Sequence, residues 1–176
     1  MKRQMSWALL AGAIALAAST VTAAPAAAAT SGSQTFKGII VASGVSGTRT
    51  VITSVIIAKG TFSGVGRIVE VDNFPGDPDN VNRDDLVFAS GSMHIVNTIL
   101  DFALSANPRS CVFTATIHQT NKIDGGTGRF TKATGSFTAT VTGQGVLARN
   151  PDGSCSDEHD PLHEVDMITA TGTLSS

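Results

Sequence analysis

Past residue 29 the chain runs in short β-branched stretches, punctuated by glycine, proline and asparagine, with no helical period in its apolar positions. Residues 35–43 alternate loosely and stop at Gly44. Residues 48–59 are β-branched almost throughout, and Gly60 ends them. Residues 61–71 form the next run, broken by Gly64 and Gly66. Residues 85–98 read as one strand kinked at Gly91, with 99–106 continuing it or standing as a separate strand. Asn107-Pro108 marks a turn. Residues 111–122 and 135–149 are strands joined by Gly125-Gly126-Thr127-Gly128. Asn150-Pro151-Asp152-Gly153 is a strong turn, and 164–174 is the last strand. Seven or eight short strands at this spacing predict an antiparallel barrel or sandwich in a single domain, residues 30–176.

The faces of these runs are mixed. Along residues 86–96 one parity holds Leu86, Phe88, Ser90, Ser92, His94 and Val96. The other holds Val87, Ala89, Gly91, Met93 and Ile95. A sheet with one wet face alternates more cleanly. Apolar character on both faces points to a filled barrel whose outside is partly covered by another subunit, so a homo-oligomer is expected.

The first residues have a different pattern. Lys2 and Arg3 precede an apolar stretch from Trp7 to Ala18, and small residues follow up to Ala29. That is the layout of a secretion signal, with cleavage expected near Ala29. The competing reading, a membrane anchor, needs about 20 apolar residues, and this run is shorter. The protein is therefore expected to be secreted, with no membrane span after cleavage. Without Lys2 and Arg3 the net charge moves from −2 to −4. Basic residues are scattered, which argues against nucleic acid as a partner. Cys111 and Cys155 make an even pair in an exported chain and predict a disulfide. Neither has a cysteine or histidine nearby at zinc-site spacing.

The segment Gly125-Gly126-Thr127-Gly128-Arg129-Phe130-Thr131-Lys132-Ala133-Thr134-Gly135 resembles the glycine hairpin of the allene oxide cyclase/dirigent-like barrels. The resemblance extends loosely over residues 36–174 through strand order and glycine placement. It implies an all-β, antiparallel eight-stranded barrel whose lumen holds a small apolar molecule. It also implies chemistry without metal or organic cofactor, by shape-steered cyclisation, isomerisation or coupling. Dirigent-type chemistry relies on tyrosines lining the pocket, and this chain has none. The alternative is a non-catalytic secreted binding or surface protein that uses the barrel as a scaffold.

Several residues are candidates for chemistry. Glu70 and Asp72 share a parity with Phe62, Gly64, Gly66 and Ile68. If that face is inward, Glu70 is a carboxylate at the barrel mouth, raised by burial and able to act as general acid or base; otherwise both acids sit in water. His94 shares its parity with Phe88, and an inward histidine there can move a proton or be a satisfied core residue. His118 has the outward parity. His159 and His163 flank Asp160 in a polar stretch that can either hold a metal or be plain surface. The acidic segment from Glu70 to Asp85 has the hard oxygens calcium prefers, but not EF-hand spacing, since Val81 stands where a third ligand belongs. It reads as an ordered loop, a calcium loop or a lid over the mouth. Arg129 pairs with that loop, caps rim carbonyls or is solvated. The catalytic candidates are thus Glu70 and His94, and the ligand-binding candidates Asp72, Asp85, Phe88 and Arg129, with no metal site assigned. A serine nucleophile elbow is absent, and a strand rather than a helix follows the glycines, which excludes a phosphate loop.

Overall fold

In the computed structural model, residues 30–45, 48–156 and 159–176 are described. The expected signal segment, residues 1–29, and Asp157 and Glu158 lie outside them. The strands are β1 (Ser31–Ser43), β2 (Thr50–Gly60), β3 (Gly64–Val71), β4 (Val81–Phe88), β5 (Gly91–Ala106), β6 (Val112–Gly126), β7 (Thr134–Val146) and β8 (His163–Ser175). Each pairs antiparallel with its sequence neighbours, and β1 pairs with β8, so the sheet closes into an eight-stranded barrel. The β2–β3 seam is the weakest, with three residue pairs, Ile56–Gly66, Ile57–Val65 and Ala58–Gly64.

Alternation places the side chains. In β1, Gln34, Phe36, Ile40 and Ala42 are buried, while Ile39 between them is half-exposed. In β8, Glu164, Ala170 and Leu174 are buried and Met167 is exposed. The outer wall is correspondingly apolar in places. Met167 lies opposite Ile39, which lies opposite Val55, and all three are exposed.

The expectation of one strand over residues 85–98 is corrected. Phe88 is paired with Gly91, so Ala89-Ser90 is a two-residue hairpin loop and the chain reverses there. Gly91, at φ 132°, takes a conformation open to glycine. Residues 99–106 continue β5, with a register shift between Ile99 and Asp101.

Connections at odd and even positions lie at opposite ends. The β2–β3, β4–β5 and β6–β7 turns gather at one end, the base, together with both ends of the described chain. There Thr30 N–H donates to the Ser176 carbonyl (3.0 Å) and Ser176 N–H to that of Thr30 (3.1 Å). The longer loops gather at the other end, the mouth.

The base is sealed by aromatics. Phe130 is fully buried, with its ring 5.0 Å from Phe62 and 5.9 Å from Phe88. Phe36 and Phe137 meet edge to face at 5.2 Å. The Gln34 side-chain amide holds the Phe62 backbone at both ends, its Oε1 accepting from the N–H (2.8 Å) and its Nε2 donating to the carbonyl (3.0 Å). The glycine segment therefore supplies the plug. It closes as a short 3-10 turn, Gly128–Phe130, and it nests against the β4–β5 turn. A Cβ on Gly126 would lie 2.0 Å from the Ser92 carbonyl oxygen, so only glycine allows that approach.

Cys111 and Cys155 form the expected disulfide, with Cα atoms 5.4 Å apart. It ties the start of β6 to the segment that follows β7, at the mouth. Closing a loop of this length limits the unfolded chain by about 2–4 kcal/mol. No helix among the described residues is long and apolar enough to cross a membrane.

Candidate functional site

The upper half of the lumen is open. A cavity of about 700 Å³ runs from the mouth down to Ile40 and Ile168. One arc of its wall, from β5 to β7, is mostly apolar: Phe102, Leu104, Phe113, Ala115, Ile117 and Val141. The facing arc carries Glu70 from β3, Asp84 from β4, and Glu164 and Asp166 from β8. These acids interrupt inward positions that are apolar nearer the base, such as Leu86 and Phe88 below Asp84.

Arg49 sits among them. It enters from the β1–β2 loop, whose backbone it anchors by donating its N–H to Asp160 (2.7 Å). Its guanidinium donates to Glu164, to Glu70 and to Asp166, the last at 3.1 Å. Burial works against its charge, but the hydrogen bond and charge of Glu164, joined by Glu70, outweigh this and hold it above the usual arginine range. Each of its three nitrogens donates to a different carboxylate, so Arg49 organises the acids and is not a free cation.

Asp84 has a different environment. Among the described residues its side-chain donor is Asn97 (2.6 Å), which in turn accepts from Asn121. Burial raises Asp84 to about 6; the Asn97 hydrogen bond opposes this and the charge of Glu70 adds to it. Asp166 is also raised to about 6, first by burial and then by the charge of Glu164, against the pull of Arg49. Two carboxyls that titrate near neutrality in a half-apolar cavity can take up or release a proton at moderate pH.

The same shifts set a pH dependence. Asp84 and Asp166 hold their protons more tightly folded than at the ordinary value of 3.8. Their contribution to stability is full below about pH 4 and is lost as the pH rises through about 6. Asp84→Asn keeps an acceptor for Asn97 and removes the buried charge. The variant is expected to be more stable than the parent at pH 7.5 by on the order of 2 kcal/mol, with little difference at pH 4. Urea unfolding at both values measures this, and an equal gap at both would refute the raised Asp84.

The structure distributes the sequence candidates as follows. Glu70 is inward at the mouth, as the first reading of its parity required, but it is committed to Arg49. Asp72 lies on the rim beside it. His94 is corrected. The β4–β5 hairpin shifts the parity, so Met93, Ile95 and Asn97 face in and His94 faces out, half-exposed. Asp85 faces out opposite it, with its carboxylate 2.6 Å from His94 Nδ1. Neither lines the lumen. Phe88 is part of the sealed base, not of the cavity wall. Arg129 is at the base too, with its guanidinium 5.0 Å above the Phe62 ring, so of its readings the pairing with the acidic loop at the mouth does not hold. His118 is outward as expected, 3.3 Å from the Thr140 hydroxyl. His159 lines the mouth.

The acidic loop is tied internally. Asp77 accepts from the Phe74 N–H (2.9 Å) and from Arg83 at Nε (2.7 Å) and Nη2 (3.0 Å), and these bonds hold it below the ordinary carboxylate range. Arg83 also lies 4.0 Å over the Phe74 ring. Asn73 donates to the Val81 carbonyl (2.6 Å). The loop is thus a braced rim, and Asp72 and Asn73 are the part of it that reaches the cavity.

Arg49, Asp84, Glu164 and Asp166 are the residues that sequence reading did not single out. Their partners are up to 117 positions away, so no local spacing announces them. The available signal was an acid at an inward parity, as at Asp166 two positions before Ile168. No family model, curated protein or solved structure matches the chain.

Proposed function

We propose that the protein is a secreted, cofactor-free barrel of the allene oxide cyclase/dirigent-like type. It holds a small, largely apolar molecule in its upper lumen and steers that molecule's cyclisation, isomerisation or coupling. The observation that carries this reading is the half-open lumen: about 700 Å³ above a sealed aromatic base, with carboxyls along one wall. Such a volume is in the range of small-molecule sites, and a lumen packed to the mouth would have excluded it.

In this reading the apolar arc of β5, β6 and β7 folds the ligand into one shape, and confinement lowers the entropic part of the barrier. Asp84 and Asp166, both raised to about 6, exchange protons with it. Glu70 and Glu164 act through Arg49 as positioning residues. The Cys111–Cys155 bridge supports an oxidising, extracellular setting.

The test is to block the lumen. Ala115 lines the cavity and is nearly buried, so Ala115→Trp fills it. The parent protein is expected to enhance Nile red fluorescence at micromolar dye, and Ala115→Trp to lose at least about nine-tenths of that signal while keeping its far-ultraviolet circular dichroism. Equal dye binding by the two proteins would refute a ligand-holding lumen.

A further inference from the structure

We infer that the lumen selects a ligand with an apolar body and a cationic amine head, and turns carboxylates away. This rests on the proposed ligand-holding lumen and specifies its substrate class.

The cavity is divided by chemistry. Phe102, Leu104, Phe113, Ile117 and Val141 offer hydrocarbon along β5 to β7. Glu70, Asp84, Glu164 and Asp166 face them from β3, β4 and β8. One cation, Arg49, stands among these four carboxyls, and its guanidinium is already shared by three of them. The second arginine at the edge, Arg83, is held in a two-point pair with Asp77. Asp72 adds another acid at the rim, and His159 is the one titratable base beside it. The lumen therefore holds more negative charge than its own cations answer. It is also partly desolvated, where an uncompensated charge is costly.

A ligand can remove that imbalance or worsen it. An ammonium group beside Asp84 would complete the one inward acid that Arg49 does not hydrogen-bond, while its hydrocarbon lies on the facing wall. A carboxylate at the same place would meet four carboxyls and a single arginine that three of them already share. Asn97 and Asn121 strengthen the asymmetry. Asn97 gives an amide hydrogen to Asp84, and its own oxygen is taken by the Asn121 amide, so it has no cation to set against the acid beside it. The raised Asp84 and Asp166 carboxyls are in keeping with this: burial lifts both, and neighbouring acids add to it against the pull of Arg49.

Three probes of one shape separate charge from fit: 2-naphthylmethylamine, 2-naphthylmethanol and 2-naphthoate, titrated calorimetrically at pH 7.5. The amine is expected to bind about tenfold or more tighter than the carboxylate, with the alcohol between them. Asp84→Asn should shrink the amine-to-carboxylate ratio at least about threefold. Asp101→Asn, which removes an acid from the outer wall opposite His118, should leave that ratio unchanged. Alcohol and amine binding equally, or the carboxylate binding best, would overturn the charge selection while leaving the lumen reading intact. A ratio that falls as much in Asp101→Asn as in Asp84→Asn would also overturn it, since bulk charge would then be the cause. If none of the three binds, the ligand-holding lumen fails and this inference falls with it.

Discussion

Phe130→Ala is expected to destabilise the barrel by about 4 kcal/mol, measured as a shift in the urea unfolding midpoint at unchanged slope. Phe130 is fully buried and its ring meets Phe62 and Phe88. Truncating a buried phenylalanine removes its transfer free energy and leaves a hole that rigid neighbours fill poorly, which together cost about 3–5 kcal/mol. The upper part of that range applies for two reasons. Edge-to-face contact with Phe62 adds about 0.5–1.5 kcal/mol beyond area. The ring also cannot be replaced by collapse, because Gly126 and Gly128 lock the segment that carries it against the β4–β5 turn. Phe130→Leu should recover more than half of the loss. A loss below about 1.5 kcal/mol would mean that the base closes without this plug.

The second large effect belongs to the other end. Arg49→Met is expected to lower stability by about 3 kcal/mol at pH 7.5. The substitution keeps an aliphatic stem and removes the cation that Glu164, Glu70 and Asp166 share. Taking one partner from a buried charged group leaves the others uncompensated, typically at about 3–5 kcal/mol. The lower end applies because Glu70 is well exposed and contributes little. The sign of the pH dependence follows. Without Arg49 the carboxyls bind protons more readily, so the variant gains relative to the parent as pH falls. Unfolding at pH 5 should show a gap at least about 1 kcal/mol smaller than at pH 7.5. A gap that does not change would assign the loss to packing rather than charge. The partial rescue variant Arg49→Met with Glu164→Gln should be more stable than Arg49→Met alone.

Much of the frame was legible because its β-branched runs are set off by glycine, proline and asparagine at the turns. Residues 164–174 were read as a strand, and β8 spans His163–Ser175. Cys111 and Cys155 were paired by count and setting, and they are bonded. Strand number and spacing left an antiparallel barrel or sandwich open; the mixed faces and the glycine-hairpin resemblance pointed to the barrel, and the sheet is closed. The failure at Ala89-Ser90 has a specific cause. Leu86-Val87-Phe88 and Met93 to Ile95 look alike on both sides, and a hairpin loop of alanine and serine lacks the Asn-Gly or Asp-Gly signal. Missing that reversal moved His94 to the wrong side of the wall, while Asp85, read as part of the acidic loop, lies within β4 and faces out. The site was illegible for another reason. It is a ring assembled from the ends of several strands, and each member looks locally like a strand-end acid in water. Only the closure of the sheet brings Asp84, Glu164 and Asp166 around Arg49.

Thr30 and Ser176 hold each other at the sealed base, at the far end of the barrel from the open mouth. That geometry has a practical use. A surface linker, affinity handle or carrier domain joined at either position hangs below the plug and leaves the opening unobstructed. Immobilised this way, the barrels would stand upright on a support with their cavities toward the solution. The closeness of Thr30 and Ser176 also means that a short peptide can join these two positions in a circular permutant of residues 30–176, with new ends cut into the Asn150–Gly153 turn at the opposite rim.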